Sequence, residues 1–309
     1  MKIVIAEPIS TTLNELISQY GKDWVMYDDR PADKAELIAR IGDAEAASSY
    51  SVHYDDEVFT ACPNLKYVAI PAVGASLFVD MEAAKRHGVT VMNCPGYNAQ
   101  AVAELAVGLL LDVMRQITRQ HQVIQKGEWN VEPPATHLLG GKKVGLVGYG
   151  NVGKTIERLL SGWNVEVTYI NSESTADDAD VLVKNADCII VCCPITEQTR
   201  DLIDERRIAL MKLEAVVVNV GRGGVINEDA LYESLVAGRL AGAGLDVFDA
   251  EPDNSTVAPE RIARFAKLPN VVCTPHMAGT SEESRVVLGK MIYENLEGCE
   301  NGQPENVYA

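Results

Sequence analysis

A short apolar strand that breaks into closely spaced glycines and then turns helical admits very few folds. This chain has one at residues 144–160. Val144, Gly145, Leu146 and Val147 read as a buried strand entered from Lys142 and Lys143. Gly148-Tyr149-Gly150-Asn151-Val152-Gly153 follows with G-x-G-x-x-G spacing, and Lys154 to Leu160 continue with apolar residues at helical spacing. The glycines have separate tasks. Gly148 permits the tight turn, Gly150 lets a pyrophosphate approach the backbone, and Gly153 lets helix pack on strand. The helix N-terminus offers free N–H groups and the positive end of its dipole to phosphate. Glycine spacing alone is weak; between a strand and a helix it points to dinucleotide binding.

The chain around this motif alternates strand and helix. Strands are expected at Lys2–Ala6, Trp24–Tyr27, Ala44–Ser49, Leu65–Ala69 and Val89–Asn93. Helices are expected between them at Thr11–Tyr20, Ala32–Ile41, Tyr54–Ala61 and Asp80–His87. Such alternation means βαβ units and a parallel sheet, so one α/β domain precedes the glycine motif. Cys94-Pro95-Gly96 interrupts the pattern, and one long apolar helix is predicted from about Asn98 to Gln120. A polar connection at 127–141 leads to a second alternating run. Its further strands fall at Val165–Ile170, Cys188–Cys193, Ala215–Val220, Gly242–Val247 and Val271–Thr274. Its helices fall at Ala176–Lys184, Asp204–Met211 and Asn227–Gly238, with a final helix at Ser281–Glu300.

With 309 residues the chain is long enough for two cores. Its formal charge of −17 repels nucleic acid and anionic lipid. No apolar run approaches the ~20 residues that span a bilayer. The N-terminal MKIVIAEP reads as a strand and not as a secretory signal, so a cytoplasmic enzyme is expected, with neither nucleic acid nor membrane as partner. The seven cysteines have no C-x-x-C spacing and read as reduced, mostly buried thiols. No histidine–cysteine cluster suggests a metal, and none is expected.

In an open parallel sheet, ligands bind beyond the C-terminal ends of the strands. Beyond these strands lie Pro71-Ala72-Val73-Gly74, the glycine loop, Asn171, Pro194, Gly221-Arg222-Gly223-Gly224, Asp249 with Glu251, and Pro275-His276. Arg222, between glycines, suits two-point contact with a carboxylate. His276 titrates near neutrality and can give or take a proton. Glu251 can hold that imidazole and raise its pKa. Of the five histidines, only His53 also follows a strand end closely, and it competes for the proton-donor role.

Several stretches together resemble the D-isomer-specific 2-hydroxyacid dehydrogenase family over nearly the whole chain. They are GYGNVG (148–153), CPITEQTRDLI (193–203), VVNVGRGGVINEDAL (217–231), GAGLDVFDAEP (242–252) and TPHMAG (274–279). AVG (72–74), NCPGYNAQAVAEL (93–105) and GEW (127–129) match as well. The resemblance implies two Rossmann-like doubly wound parallel-sheet domains with a cleft between them. Residues 1–97 and 278–309 would form the substrate domain and 98–277 the NAD(P)-binding domain, with the long helix from Asn98 making a homodimer. It implies an NAD(P)-dependent oxidoreductase of a small 2-oxo acid or D-2-hydroxy acid. Arg222, Glu251 and His276 would be catalytic, and the backbone of Val73 and Gly74 would join Arg222 in binding substrate. Gly148, Gly150, Asn151, Val152, Gly153, Asn171, Cys193, Pro194, Thr199, Val220, Gly221 and Asp246 would line the cofactor, Asp246 at the nicotinamide carboxamide.

Two departures from the family pattern bear on specificity. Asn171 stands where an aspartate often binds the ribose of NAD, yet no Lys or Arg follows before Lys184, and Glu173, Asp177 and Asp178 oppose a 2′-phosphate. The cofactor expected is therefore NAD, with NADP possible. Leu77 and Phe78 replace a more polar turn beside the substrate loop and leave the substrate open. The alternative reading is a nucleotide-sensing, corepressor-like binding protein of the same family. A formate-type enzyme is disfavoured because that branch pairs Gln with His, and this chain has Glu251.

Overall fold

Near-continuous runs of Val, Ile and Ala at strand length belong in sheets covered on both faces. A computed structural model of the chain describes residues 1–129, 132, 135–249, 251 and 258–308. Parts of the 127–141 connection, together with Ala250 and Pro252 of the GAGLDVFDAEP stretch, lie outside the described residues. The elements begin with β1 (Ile3–Ile5), α1 (Thr11–Gln19), β2 (Val25–Met26), α2 (Lys34–Ile41) and β3 (Ala46–Ser48). Then come α3 (Asp56–Ala61), β4 (Tyr67–Ala69), α4 (Met81–His87) and β5 (Thr90–Met92). Next are α5 (Ala99–Arg115), α6 (Ile117–Gln125), β6 (Lys143–Val147), α7 (Asn151–Leu160), β7 (Glu166–Ile170), α8 (Ala176–Asn185) and β8 (Cys188–Val191). The last are α9 (Glu205–Leu210), β9 (Val216–Asn219), α10 (Glu228–Val236), β10 (Gly242–Leu245), α11 (Glu260–Ala266), β11 (Val271–Cys273) and α12 (Glu282–Glu300).

The chain divides into two units, residues 1–98 with 280–309, and residues 99–279. Unit 1 holds a parallel sheet in the order β2-β1-β3-β4-β5, and unit 2 one in the order β11-β10-β9-β8-β6-β7. Both are doubly wound Rossmann-like orders. The strand order reverses between β1 and β3 in unit 1, and between β6 and β8 in unit 2. Ligands bind at such switch points, outside the C-terminal strand ends.

The two-residue period of a strand explains the layers of unit 2. Val144, Leu146, Cys188, Ile190, Val216 and Val218 face one side, against Val102, Ala106, Leu109 and Val113 of α5 and Ile156 and Leu160 of α7. Val147, Ile189, Val191 and Val217 face the other, against Leu182 of α8, Ile208 of α9 and Leu231 and Leu235 of α10. In unit 1 the last helix, α12, packs Leu288, Ile292 and Leu296 onto Ile3, Ile5 and Leu13.

Three elements differ from the sequence expectation. The single long helix from Asn98 to Gln120 is two helices. Gln116 adopts φ +55°, and the Asp112 carboxylate accepts hydrogen bonds from the Thr118 N–H (2.7 Å) and hydroxyl, so α6 starts afresh. Helix α3 is shorter than foreseen, because Asp55 caps it by accepting from Glu57 and Val58 N–H. Helix α11 was not foreseen. Its stretch ERIARFA is polar, and it is anchored by the fully buried Phe265.

Ile190 lies wholly buried in the middle of the unit 2 sheet. Ile190→Ala should cost about 2–5 kcal/mol of stability, read as a lower urea midpoint; an unchanged midpoint would place Ile190 outside the core.

Candidate active site

The glycine loop occupies the switch point of unit 2. Gly148 leaves β6 with φ +105°, and a Cβ there would stand 2.8 Å from Cys193 N, just past β8. Only glycine lets these two strand ends close together. A Cβ on Gly150 would meet no protein atom within 4 Å, so the space above it is open. Gly150 caps α7 without a side-chain hydrogen bond, leaving N–H groups of the first turn, at Asn151, Val152 and Gly153, for an anion. These features fit a dinucleotide pyrophosphate.

The flanking loops are held by their own side chains. The Thr199 hydroxyl donates to Pro194 O at 2.7 Å and accepts from Thr196 N–H at 2.7 Å, closing the loop that follows Cys193. Val220 is buried, and Gly221 N–H donates to Asn219 Oδ1 at 3.1 Å. Asn219 also donates to Arg222 O at 3.0 Å, so one buried amide shapes the whole Val220–Arg222 bend. Sequence reasoning did not single out Asn219, although it stands inside the VVNVGRGG stretch.

Asn171 follows β7 and is exposed. Its Oδ1 accepts from Glu173 N–H at 3.0 Å and Ser174 Oγ at 3.3 Å, while its amide NH2 makes no hydrogen bond among the described residues. The arginines that reach α8, Arg206 and Arg207, are engaged there by Asp180.

The imidazole and carboxylate that the sequence singled out lie beyond β10 and β11. His276 Nδ1 stands 2.6 Å from Glu251 Oε2. A carboxylate only accepts, so Nδ1 carries the hydrogen, while Nε2 makes no hydrogen bond among the described residues. The Glu251 hydrogen bond holds the His276 pKa above its usual value, against burial and the Arg222 charge, which lower it. Burial pushes Glu251 up, but the His276 contact and the Phe248 N–H outweigh it, and its pKa is lowered overall. Arg222 is near enough to act electrostatically on both groups.

His276 itself has φ +49°, a left-handed backbone that a non-glycine residue holds only when its surroundings impose it. Asp246 imposes it. This carboxylate is fully buried and accepts from Thr274 Oγ1 (2.5 Å), Met277 N–H (2.9 Å) and Ala278 N–H (2.9 Å), while Asp246 O accepts the His276 N–H at 2.8 Å. Each hydrogen bond that the Asp246 side chain makes here goes to the turn beneath His276.

In unit 1 the N–H groups of Val73 and Gly74 donate to no group among the described residues, which leaves two donors on an exposed loop after β4. At that unit's switch point the buried Glu7 carboxylate accepts Tyr50 and Ser51 N–H at 2.6 and 2.8 Å. His53 is exposed and makes no hydrogen bond or ion pair among the described residues, unlike His276.

The sequence pattern of the D-isomer specific 2-hydroxyacid dehydrogenase NAD binding domain matches residues 107–278. The chain belongs to the D-isomer-specific 2-hydroxyacid dehydrogenase family. It is 35% identical to the hydroxypyruvate reductase of Thermotoga maritima, over 96% of this chain and 97% of that one. It is 33% identical to the glyoxylate reductase of Korarchaeum cryptofilum, over 91% of this chain and 87% of that one. The solved structure of an acyclic imino acid reductase in complex with NADPH and D-Arg superposes with a TM-score of 0.86 at 29% identity, covering 100% of both chains. As a member of this family the chain is an NAD(P)-dependent oxidoreductase of 2-oxo and D-2-hydroxy acids.

The raised His276 pKa is open to direct measurement. In 15N-histidine NMR its titration should lie above 6.5, the ordinary value, and Glu251→Gln should move it downward by removing the charge that favours imidazolium. An unmoved titration would show that Glu251 does not set it.

Proposed function

We propose that this protein reduces a small 2-oxo acid to the D-2-hydroxy acid with NADH, using His276 as proton donor, Glu251 as its partner and Arg222 as the carboxylate and carbonyl ligand. The observation that carries this reading is the 2.6 Å His276–Glu251 pair, with Arg222 close enough to bias both charges. When bound, NADH supplies a hydride to the carbonyl carbon. The free N–H groups at the start of α7 hold the pyrophosphate, with Cys193, Pro194, Val220 and Gly221 along the cofactor. Asp246 would hold the nicotinamide carboxamide, and its carboxylate also accepts the Met277 and Ala278 N–H groups. Arg222 presents a planar fork to the substrate carboxylate and its adjacent oxygen. In unit 1 the Val73 and Gly74 N–H groups, unpaired among the described residues, are donors that suit a carboxylate. His276 Nε2 gives its proton to the carbonyl oxygen as charge develops there, and the Glu251 carboxylate stabilises the imidazolium before that transfer. In the oxidation direction the neutral imidazole takes the proton back.

NAD is favoured over NADP because Asn171 offers an amide donor to a ribose hydroxyl, and Arg206 and Arg207, which reach α8, are already paired with Asp180. The sequence similarity to enzymes named glyoxylate reductase and hydroxypyruvate reductase supports a short-chain substrate. A homodimer is proposed through α5 and α6. Helix α6 has no buried residue, and Ile117, Ile124, Trp129 and Leu138 are exposed around it. All seven cysteines are free thiols, and no helix among the described residues is long and apolar enough to cross a membrane; both fit the proposed cytoplasmic setting.

Three measurements test this reading. His276→Asn should lower turnover by roughly 100- to 10,000-fold while NADH binding, followed by fluorescence, stays near wild type; full turnover would remove His276 from the mechanism. Arg222→Lys should lose about 10- to 100-fold in kcat/KM, because an ammonium lacks the fork, and a near-normal Lys variant would place Arg222 outside the site. Steady-state kinetics against glyoxylate, hydroxypyruvate, pyruvate and branched 2-oxo acids should give a higher kcat/KM with NADH than with NADPH. The reverse order would overturn the cofactor preference.

A further inference from the structure

Glu228 is a second carboxylate beside the proton-handling pair, and none of the roles above uses it. It opens α10 directly after its cap Asn227, within the NEDAL stretch, and is buried. Its Oε1 accepts the Asp249 N–H at 2.5 Å. Among the described residues its Oε2 has no hydrogen-bond partner, and Arg261 Nε on α11 stands 3.6 Å away. Burying a carboxylate costs several kcal/mol unless it is matched, and an apolar side chain would pack there at lower cost. Burial pushes the Glu228 carboxyl up while the Asp249 N–H pulls it down, and the acceptor oxygen holds that particular N–H.

That N–H lies two residues before Glu251. The neighbouring Phe248 N–H is taken by Glu251 Oε1 at 2.9 Å, while Glu251 Oε2 reaches His276. So the backbone at Phe248 and Asp249 carries two consecutive N–H groups, one fixed by Glu251 itself and one by Glu228. On another side, a Cβ on Gly223 would stand 1.9 Å from Phe248 C, so the residue after Arg222 lies flush against the same backbone. The Phe248 ring packs on Phe265 of α11 with centroids 6.0 Å apart. Among these contacts Glu228 supplies the buried hydrogen-bond acceptor that α10 brings to this backbone.

We propose that Glu228 is a positioning residue for the proton-donating pair: by fixing the Asp249 N–H it sets where Glu251 stands, and so keeps His276 Nδ1 within hydrogen-bond reach. The proposal rests on the reading of His276 and Glu251 given above. The charged groups around the pair are Arg222 and Asp246 for His276, and Asp249, Arg261 and Arg264 for Glu228. None of these is altered in the test.

Glu228→Met keeps the volume and removes the acceptor; Glu228→Gln keeps an acceptor oxygen without the charge. Glu228→Ala replaces Met if the Met protein does not fold. The readouts are the His276 pKa by 15N NMR, assigned by its absence in His276→Asn, with kcat for reduction and the NADH Kd. The Met variant should show the His276 titration lowered by about one unit and kcat lowered about tenfold, with NADH Kd unchanged. The Gln variant should return both to within about threefold of wild type. A folded Met or Ala variant with an unmoved His276 titration overturns the proposal, as does a Gln variant that loses as much as Met. If His276→Asn reduces substrate normally, the proton-donor reading fails, and the His276 titration in the Glu228 variants still decides the positioning role.

Discussion

The arrangement of side chains beyond β10 and β11 depends on one short contact, the 2.6 Å hydrogen bond between His276 Nδ1 and Glu251 Oε2. An imidazole alone is as often neutral as charged near pH 6.5. Beside a half-buried carboxylate it stays charged to higher pH and presents one defined nitrogen outward. Neither partner sits in regular structure, so both must be held by something else. Asp246 holds the turn under His276 with its buried carboxylate, and the left-handed backbone of His276 is the strain that this arrangement tolerates. Glu251 is held through the N–H of Phe248, next to the N–H that Glu228 fixes. On both sides of the pair a buried carboxylate accepts backbone N–H groups, Asp246 those of Met277 and Ala278 and Glu228 that of Asp249.

The same device recurs in unit 1, where the buried Glu7 holds Tyr50 and Ser51 N–H at the switch point. An acidic chain can place carboxylates at strand ends because loops leave backbone donors unsatisfied there, and a charged acceptor makes a stronger hydrogen bond than a neutral one. The price is one oxygen on each of Glu7 and Glu228 that has no hydrogen-bond partner among the described residues, each facing an arginine at 3.6 Å.

Much of this was legible in the sequence. The stretches Val144–Val147, Cys188–Val191 and Val216–Val218 were readable because both faces of their sheet are covered, so no polar side chain interrupts them. The glycine loop was readable because its spacing answers to one backbone geometry. The family stretches placed Arg222, Glu251 and His276 at strand ends, and the structure brings His276 and Glu251 into contact with Arg222 acting on both. What stayed hidden depends on partners far along the chain. The break at Gln116 needs Asp112 to reach Thr118. Helix α11 is held by Phe265, not by its own propensity. Glu228 takes its meaning from Asp249, 21 residues later in another loop. The resemblance gave Asp246 as a cofactor contact, and what it could not give is that the carboxylate also accepts from Thr274, Met277 and Ala278 in the His276 turn.

The central claim is that His276 must be charged when a 2-oxo acid binds beside the reduced cofactor. Calorimetric binding of oxamate, an unreactive 2-oxo acid mimic, to the NADH complex in buffers of different ionisation enthalpy counts the protons taken up. At a pH well above the His276 titration, wild type should take up close to one proton per site, and His276→Asn should take up none. No uptake in wild type, or equal uptake in both proteins, would contradict the account.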